Sequence, residues 1–479
     1  MKVSIISTYE KSGGAGIAAN RLYEALSEYN VVSVNKSYRY STSRKNKIED
    51  HFLSRGDEKK ENEILAKYQR YLIAKNRTPL TNTLFSGETT AWDISNLTKI
   101  KESNVINIHW VSEFMNSRSI HSLAKLNIPI VWTLHDESAF TGGCHYTYGC
   151  DGFKDECSDC SQLRSHLHWL PEKNLQRKAE IFCHIPIHFV TPSVWLKDRL
   201  VASRVFDNAF HKASVIRYSL DLDIFKPVSE TRKNEIRREN GLNEKNIYIL
   251  IGCFSWAEER KGFKFLLDAL VQFSKTVKEI LPESKVTLLS LGNGNIEIEG
   301  FENKSFGFLS NEKDISKVIC MADIFLNMSR EDNSPNMVME SLACGVPVIS
   351  TNVGGIPEMY ENEKSGTFVT RDDYKSMNDA LGYLMKNPDI LVHYRQNARA
   401  EAVKKFAPKI QARKYLELFS KTLMHQNQKI GKSNENLSSN SNANKSSRRS
   451  PTRLPAMDYF PDEAYLDRAK RWLEERAQL

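Results

Sequence analysis

The stretch SREDNSPNMVMESLACGVPVISTNVGGIPE, from Ser329 to Glu358, decides the fold of this 479-residue chain. The apolar residues Ile-Phe-Leu at 324–326 come just before it and predict a buried strand. Ser334 followed by Pro335 predicts a helix start, because serine caps helices and proline is tolerated at the first helical position. Gly345 predicts the helix end, and the apolar run after it predicts another strand. Strand, loop, helix and strand in this order are typical of an α/β sheet.

The loop before this helix carries residues suited to binding an anion and sugar hydroxyls. A helix amino terminus presents N–H groups and a positive dipole end, so we expect Asn333, Ser334 and Asn336 to contact a phosphate or a polar sugar. Two carboxylates stand nearby, Asp332 in the loop and Glu340 in the helix, and both can accept hydrogen bonds from vicinal hydroxyls. We predict that one binds a sugar and the other a ribose. Surface acids at an ordinary strand–helix corner are the alternative.

The composition indicates a soluble globular protein with two domains. The chain is too long for a single core, and its 40% hydrophobic and 26% charged residues are ordinary proportions. The net charge of +8 is spread out and no nucleic-acid module is visible, so we expect no nucleic-acid partner, although peripheral contact with an anionic membrane is compatible with this charge. The chain enters a strand directly and has no run of about 18 apolar residues, which predicts a cytoplasmic protein, at most peripheral at the inner face of the cell membrane.

The beginning of the chain predicts a doubly wound α/β domain. KVSIIS at residues 2–7 predicts a strand, SGGAG at 12–16 a glycine loop, and the following residues an amphipathic helix. We expect Gly13 and Gly14 to let the backbone approach a diphosphate, although glycine turns without a ligand are equally common. Residues 36–77 are polar and basic, and we interpret them as an inserted segment with a helix near 64–74.

Polar side chains follow two of the next predicted strands. NVINIHW, residues 104–110, ends with His109, and IPIVWTLHD, residues 128–136, ends with His135 and Asp136. In open parallel sheets, ligands bind beyond the carboxyl ends of the strands. We therefore predict that these three residues line a binding site, although a single histidine in such a place is more often structural.

Four cysteines lie between residues 140 and 163, in FTGGCHYTYGCDGFKDECSDCSQL. Cys144, Cys150, Cys157 and Cys160 end in a CxxC pair. In a reducing compartment, four thiolates on a loop poor in apolar residues favour a structural zinc site. A redox pair and unligated thiols are the other two interpretations.

These segments together resemble family 4 of the retaining glycosyltransferases. The Asp332 and Glu340 region resembles the family's donor-binding signature, Glu-x7-Glu running into a Gly-Gly turn, except that aspartate holds the first acidic position. TLHD resembles the position of the family's active-site histidine, which implies that role for His135. The combination of HW, TLHD, TGGCHY and CxxC resembles a subgroup from exopolysaccharide pathways, including the colanic acid type.

SWAEERKGF, residues 255–263, resembles the family segment that binds the donor diphosphate. The resemblance implies that Lys261 is the diphosphate lysine. The family arginine usually lies five residues earlier, where this chain has Trp256, and Arg260 is the nearest substitute. Lys261, with or without Arg260, would neutralise charge on the leaving diphosphate.

The resemblance covers residues 1–423 and implies the GT-B fold, in which two Rossmann-like α/β domains face each other across a cleft. We expect an acceptor-side domain at 1–215, a nucleotide-sugar domain at 216–395, and a helix at 396–423 that crosses back to the first domain. The Ser/Asn/Lys-rich residues 424–460 predict a disordered linker, and 461–479 a tethered helix.

The resemblance also implies an activity, the transfer of a hexosyl or related group with retention. The donor would be UDP- or GDP-linked and the acceptor a glycan or lipid-linked glycan, in bacterial surface polysaccharide synthesis. His135, Asp332 and Lys261 are the expected catalytic residues. The front-face mechanism attributed to the family needs no catalytic cofactor, because the leaving phosphate accepts the acceptor's proton. A catalytically silent nucleotide-sugar or glycan-binding protein and a GT-B sugar-nucleotide epimerase are the alternatives.

Overall fold

A computed structural model describes residues 1–40, 56–252, 255–280, 282, 285–294, 296–439 and 463–477. In these ranges the chain forms two six-stranded sheets, and all strand pairs in both are parallel. The first sheet contains β1 (Lys2–Tyr9), β2 (Ser33–Tyr40), β3 (Val105–Ile108), β4 (Ile130–Thr133), β5 (Ile187–Thr191) and β6 (Lys212–Val215). Its helices are α1 (Gly13–Ser27), α2 (Gly56–Lys75), α3 (Thr98–Lys101), α4 (Ser117–Ala124), α5 (Trp169–Phe182) and α6 (Val194–Val201).

The second sheet contains β7 (Ile247–Gly252), β8 (Val286–Leu291), β9 (Glu302–Ser305), β10 (Ile324–Asn327), β11 (Val348–Thr351) and β12 (Gly366–Val369). The helices after the first sheet are α7 (Glu230–Glu239), α8 (Phe263–Ile280), α9 (Glu312–Met321), α10 (Asn336–Ala343), α11 (Tyr374–Lys386), α12 (Pro388–Phe406), α13 (Pro408–Ser439) and α14 (Glu463–Ala477). Short 3-10 turns lie at Gly152–Lys154, Ser165–Leu167, Glu259–Lys261 and Ile356–Glu358. This architecture confirms the predicted pair of Rossmann-like sheets; the domain boundaries themselves stay predictions.

The strand order brings the predicted polar strand ends to one place. The first sheet has the order β2-β1-β3-β4-β5-β6, so the chain reverses its direction of travel across the sheet between β1 and β3. Ile108, the last residue of β3, pairs with Trp132 of β4, and the loops after both strands therefore leave the sheet side by side. In the second sheet, of order β12-β11-β10-β7-β8-β9, β10 lies between β11 and β7. Parallel sheets of this kind bind ligands at such edges.

The long helix after the second sheet completes the core of the first. Tyr415 and Phe419 of α13 are buried with Val3 and Ile5 of β1 and with Leu22 of α1. The Tyr415 hydroxyl also lies 2.9 Å from Thr133 Oγ1 at the end of β4. Burying this stripe of α13 stabilises the first domain by removing apolar surface from water.

The predicted single helix at 396–423 was wrong, because the structure has two helices there. Ala407 separates α12 from α13 and has an extended conformation, with φ −64° and ψ 134°. Pro408 lacks an N–H and disfavours helical geometry in the residue before it, which accounts for the break.

The polar segment at 36–77 also differs from its interpretation as an insertion. Residues 33–40 form β2, an edge strand that pairs with β1 from Lys2–Ser33 to Tyr9–Tyr40. Its mostly polar, half-exposed residues lack the apolar pattern of an inner strand, so the sequence signal is weak. The helix predicted near 64–74 is confirmed within α2, and residues 41–55 lie outside the described residues.

The chain's last segments differ in part from the prediction. The predicted disordered linker at 424–460 is helical as far as Ser439, where α13 ends, and residues 440–460 lie outside the described residues. A helix that is already packed extends cooperatively into poor helix formers, which accounts for the difference. The tethered helix is confirmed as α14, and it packs on α2, with the Tyr465 and Tyr68 rings 5.2 Å apart. Within the described ranges, each helix is too short or too polar to cross a bilayer.

Candidate active site

The loop between β10 and α10 is held in place by the glycine turn that follows β11. Gly354 has φ +59°, and a Cβ atom there would lie 1.9 Å from the Asp332 carbonyl oxygen. Gly355 N–H donates a 2.9 Å hydrogen bond to the same oxygen. Only glycine permits this approach without strain, so the Gly-Gly turn fixes the backbone of the acidic loop.

The helix after this loop begins one residue later than predicted. Pro335 is the cap residue, with ψ 124°, and its carbonyl accepts hydrogen bonds from Val338 and Met339. The prediction of Ser334 as the cap was therefore wrong, because Pro335 has the extended conformation in which a cap carbonyl starts the helix. Ser334 lies in the loop, partly exposed. The end of the helix at Gly345, with φ +69°, is confirmed.

Asp332 is buried and neutralised by two cations from the segment before α8. Its Oδ2 lies 2.6 Å from Lys261 Nζ and 3.1 Å from Arg260 Nη1. Burial alone would raise the pKa of Asp332, but Lys261 and Arg260 outweigh it and lower that pKa to about 2. Asp332 is thus a permanent carboxylate at neutral pH.

The two cations differ in what they can offer a ligand. Arg260 also donates to Glu258 and to the Glu331 carbonyl, and its guanidinium lies 4.1 Å from the centre of the Tyr146 ring. Its side chain is 8% exposed, whereas that of Lys261 is 21% exposed. Lys261 is therefore the more accessible of the two cations.

Trp256, at the position of the family arginine, contributes no charge to this group. Its ring packs against Phe263, with the ring centres 4.1 Å apart. The turn that carries Arg260 and Lys261 ends at Gly262, with φ +65°, where a Cβ atom would lie 1.8 Å from the Met328 carbonyl oxygen. This close approach places the two cations beside the end of β10.

The two histidines of the first sheet are joined in a buried chain of hydrogen bonds. His109 Nε2 lies 2.9 Å from Asn107 Oδ1, His109 Nδ1 lies 3.0 Å from His135 Nε2, and His135 Nδ1 lies 2.7 Å from the Tyr218 hydroxyl. Since Asn107 Oδ1 can only accept, His109 carries its proton on Nε2, and His135 Nε2–H then donates to His109 Nδ1.

Burial keeps both imidazoles of this chain neutral. It lowers the pKa of His135 to about 4 and the pKa of His109 well below its ordinary value. Both ring nitrogens of His135 are occupied by protein groups, and Tyr218 was not anticipated from the sequence. The carbonyl of His135, in contrast, faces the second domain and accepts from Asn333 Nδ2 at 3.1 Å.

Asp136 organises the cysteine-containing loop. Its carboxylate accepts hydrogen bonds from Trp110 Nε1 at 2.7 Å and pairs with His145 Nδ1 at 2.6 Å. Ser138 donates to it through both its N–H and its hydroxyl. These partners outweigh burial and hold the pKa of Asp136 well below its usual range. The observed contacts of the Asp136 carboxylate are thus with protein groups that hold this loop in place.

Other residues of the signature segment reach across to the first domain. Asn333 Oδ1 accepts from Ser193 Oγ at 2.5 Å, and Asn336 Nδ2 lies 3.4 Å from the Gly14 carbonyl. The Glu358 carboxylate accepts from the Val194 and Trp195 N–H groups, and so caps α6 from the opposite domain. The structure therefore brings the predicted loop and the predicted strand ends together.

Gly13 and Gly14 lie in the first turn of α1. The glycine loop predicted at 12–16 therefore ends at Ser12, the residue before the helix begins. Gly13 has φ +66°, which glycine adopts readily, and nothing lies within 4 Å of the position of a Cβ atom there. The same position on Gly14 is 3.7 Å from Asn336 Nδ2. Gly14 thus faces the amino terminus of α10, and the space beside Gly13 is open.

Glu340, the second predicted acid, is bound by a residue that sequence reasoning missed. Its Oε1 lies 2.7 Å from Arg21 Nη2 of α1. Burial raises the pKa of Glu340, and Arg21 acts against that increase. Arg21 lies on the inward face of an amphipathic helix, and no local sequence signal distinguishes it from a surface arginine.

The four cysteines of the loop line one cavity of about 20 Å³ and are all free. Soft thiol donors suit a zinc ion. Within the described ranges, however, no three His, Cys, Asp or Glu side chains are arranged to hold a metal ion. Zinc at Cys144, Cys150, Cys157 and Cys160 stays a prediction.

The cysteine-containing loop also contacts the acidic loop of the second domain. Tyr148 N–H donates to Glu331 at 2.9 Å, and the Tyr146 hydroxyl lies 3.4 Å from Asp332 Oδ1. The loop is therefore part of the cleft wall, which its composition alone did not indicate.

Comparisons with known proteins agree with this arrangement. Residues 245–387 match the family model described as "Glycosyl transferases group 1". The chain is 26% identical to N-acetyl-alpha-D-glucosaminyl L-malate synthase of Bacillus anthracis over 36% of this chain and 45% of that protein. It is 24% identical to the putative colanic acid biosynthesis glycosyl transferase WcaC of Escherichia coli K12 over 50% of this chain and 56% of that protein. The chain thus spans about half the length of these curated relatives.

Two solved structures show the same fold over most of the chain. Sucrose-phosphate synthase from Thermosynechococcus elongatus has a TM-score of 0.58 at 16% identity, over 88% of this chain and 99% of that one. HepE from Anabaena, in complex with UDP-glucose, has a TM-score of 0.57 at 16% identity, over 88% of this chain and 100% of that one. These likenesses confirm the predicted GT-B fold.

Proposed function

We propose that this chain, which is related to the group 1 glycosyltransferases and has their GT-B fold, transfers a sugar from a nucleotide diphosphate donor to a glycan or lipid-linked acceptor with retention. The observation that carries the proposal is the buried group of Asp332, Lys261 and Arg260 before α10. Asn333, the next residue after Asp332, binds the carbonyl of His135 in the first domain. Together with α10, the buried group provides a permanent carboxylate, an accessible ammonium and a helix amino terminus. These are the groups that a sugar diphosphate requires.

The transfer follows from the charges of this group. As the sugar–phosphate bond breaks, electrons remain on the diphosphate, and Lys261 stabilises that negative charge. The acceptor oxygen forms the new bond on the same face of the sugar and gives its proton to the departing phosphate oxygen. Asp332 holds a sugar hydroxyl and Glu340 the ribose. No protein nucleophile takes part.

The buried imidazole of His135 does not act as an acid or a base in this proposal. It is neutral, and both its nitrogens are bound to His109 and Tyr218. It therefore fixes the backbone after β4, whose carbonyl holds Asn333 beside the donor. His135 is a positioning residue in this proposal.

The known proteins support a donor and an acceptor of this kind. HepE was solved with UDP-glucose and with UDP, and one relative is named as a transferase acting on a diphospho-undecaprenol-linked sugar. We propose a UDP- or GDP-sugar donor and a polyprenyl-linked or free glycan acceptor for this chain, used at the cytoplasmic face of the membrane. The names of two relatives, a putative colanic acid transferase and a diphospho-undecaprenol-linked sugar transferase, support our proposal of a role in bacterial surface polysaccharide or glycolipid synthesis.

A silent binding protein is the second candidate, because Arg260 is committed to protein partners and Trp256 is uncharged. Incubation with UDP-, GDP- and ADP-sugars and a polyprenyl-diphosphate glycan separates the candidates. Free nucleotide with glycosylated product supports transfer, an isomerised donor indicates an epimerase, and binding without turnover indicates a silent protein. The Glu340→Ala variant should lose transfer, whereas Glu363→Ala, on the surface, should not.

A further inference from the structure

We propose that Arg21 is a donor-binding residue, which holds one oxygen of Glu340 and binds the ribose of the nucleotide together with the other oxygen. This inference rests on the proposed function, because it requires a nucleotide at Glu340. It assigns part of the donor site to the first domain. No resemblance or local motif pointed to Arg21.

The guanidinium of Arg21 joins α1 to two helices of the second domain. Its Nη2 lies 2.7 Å from Glu340 Oε1 of α10 and 2.8 Å from Glu312 Oε1 of α9. Its Nε donates to the same Glu312 oxygen at 2.9 Å. The guanidinium carbon lies 5.4 Å from the centre of the Phe225 ring. With its side chain 5% exposed, Arg21 is fixed on several sides.

The remaining polar atoms of this pair are suited to a diol. Among the described contacts, Glu340 Oε1 is bound by Arg21, whereas Oε2 accepts no hydrogen bond. Arg21 Nη1 is buried, and no described group accepts its N–H groups. An unpaired buried donor is costly and calls for a partner. Two vicinal hydroxyls can satisfy both, one donating to Oε2 and one accepting from Nη1.

The pairing also opposes the effect of burial on Glu340. A carboxylate at this depth needs a cation, and Arg21 is the cation that faces it. The other titratable groups that face Glu340 are Glu312 of α9 and Cys344 at the end of α10. Burial raises the pKa of Glu340, and Arg21 lowers it. A neutral residue at position 21 would raise the pKa of Glu340 further. Donor affinity would then begin to fall at a higher pH as the solution is acidified.

The experiment compares a nucleotide with its 2′,3′-dideoxy form. UDP, GDP and ADP are tested on wild type, and the tightest binder is used with its dideoxy counterpart on Arg21→Gln, Arg21→Lys and Glu312→Gln. We expect Arg21→Gln to weaken binding of the ribonucleotide by about tenfold and to leave dideoxynucleotide binding unchanged, because one charge-assisted contact to the ribose is lost. Arg21→Lys should recover part of the loss. Glu312→Gln should bind like wild type, since the Arg21–Glu340 contact remains.

Two results would overturn the assignment. Equal weakening for the ribose and dideoxy forms would show that Arg21 acts on overall domain geometry, as would a matching loss in Glu312→Gln. If Arg21→Gln does not fold, Arg21→Lys decides, because an unchanged ratio of the two affinities contradicts the proposal. Failure of the proposed function is separate and appears in the transfer assay: wild type would then bind a nucleotide without turnover, or would bind none of the three.

Discussion

Lys261 Nζ lies 2.6 Å from Asp332 Oδ2, so the residue expected to bind the diphosphate of the donor and the residue expected to bind its sugar are bound to each other. A diphosphate would compete with the Asp332 carboxylate for the Lys261 ammonium. The carboxylate would then be free to accept a hydrogen bond from a sugar hydroxyl. The pair couples binding of the phosphates to binding of the sugar. This relationship connects two segments, 71 residues apart in sequence, that look independent.

Replacing Lys261 by alanine should lower the rate of transfer by roughly a hundredfold or more, as expected when a group that stabilises charge on a leaving group is removed. Lys264→Ala is the matched control, because Lys264 is exposed one turn away. Initial rates at saturating donor measure the effect. Equal rates for wild type and Lys261→Ala would remove Lys261 from the mechanism.

The buried state of His135 predicts how stability depends on pH. The folded-state pKa is about 4 and the unfolded one about 6.5, so the unfolded chain takes up a proton that the folded chain excludes. The contribution of His135 to the free energy of unfolding is therefore fully present above about pH 6.5. It decreases by about 3 kcal/mol as the pH falls toward 4. Urea unfolding of wild type and His135→Gln at pH 7 and 5 should show wild type losing more.

The control for this pH effect is His393→Gln, since His393 is exposed on α12. It should retain the pH dependence of wild type. If the difference between wild type and His135→Gln were the same at both pH values, the imidazole would not be held neutral by burial.

The cysteine cavity predicts a bound zinc ion in purified protein. The four thiols line a single small cavity. Small movements of the four cysteine side chains toward a cation would give tetrahedral thiolate coordination. Elemental analysis should find about one zinc per chain, and Cys157→Ser should reduce it. Cys183→Ser, outside the cavity, is the control. Protein without stoichiometric zinc would leave the redox and unligated interpretations.

Removing the ring of Tyr465 should loosen α14 from α2. Tyr465 is fully buried against Tyr68, and truncating a large buried ring costs about 3 kcal/mol or more. Limited proteolysis should then cut before α14 faster in Tyr465→Ala than in wild type. Glu474→Ala, an exposed position on the same helix, should behave like wild type. Unchanged cleavage would show that α14 docking contributes little.

Local signals were enough to predict the strand, loop and helix around Asp332. The apolar run, Gly345 and the Gly-Gly turn act over a few residues, and the structure has these elements with one residue of error at Pro335. The edge strand β2 was missed because its exposed side chains are polar. The break at Ala407 was missed because the prediction followed the apolar stripe from Ile410 to Leu423, which lies entirely after the break.

The partners of the site residues were beyond local reasoning. Arg21 and Glu340 are 319 residues apart, and Tyr218 reaches His135 across 83 residues. Such contacts depend on how the two sheets face each other, which no periodicity or motif records. The types of charged residue could be predicted, but their pairing required the fold.

The position of α13 has a consequence for synthesis of the protein. Tyr415 and Phe419 fill the core against β1 and α1, yet they leave the ribosome after all of the second sheet. The first domain to be translated is thus the last to be completed, and its apolar face stays open while some 200 further residues are made. During that interval we expect the nascent chain to rely on a chaperone or to remain partly folded. Emergence of α13 from the ribosome, instead of emergence of the first sheet, then sets when the first domain becomes native.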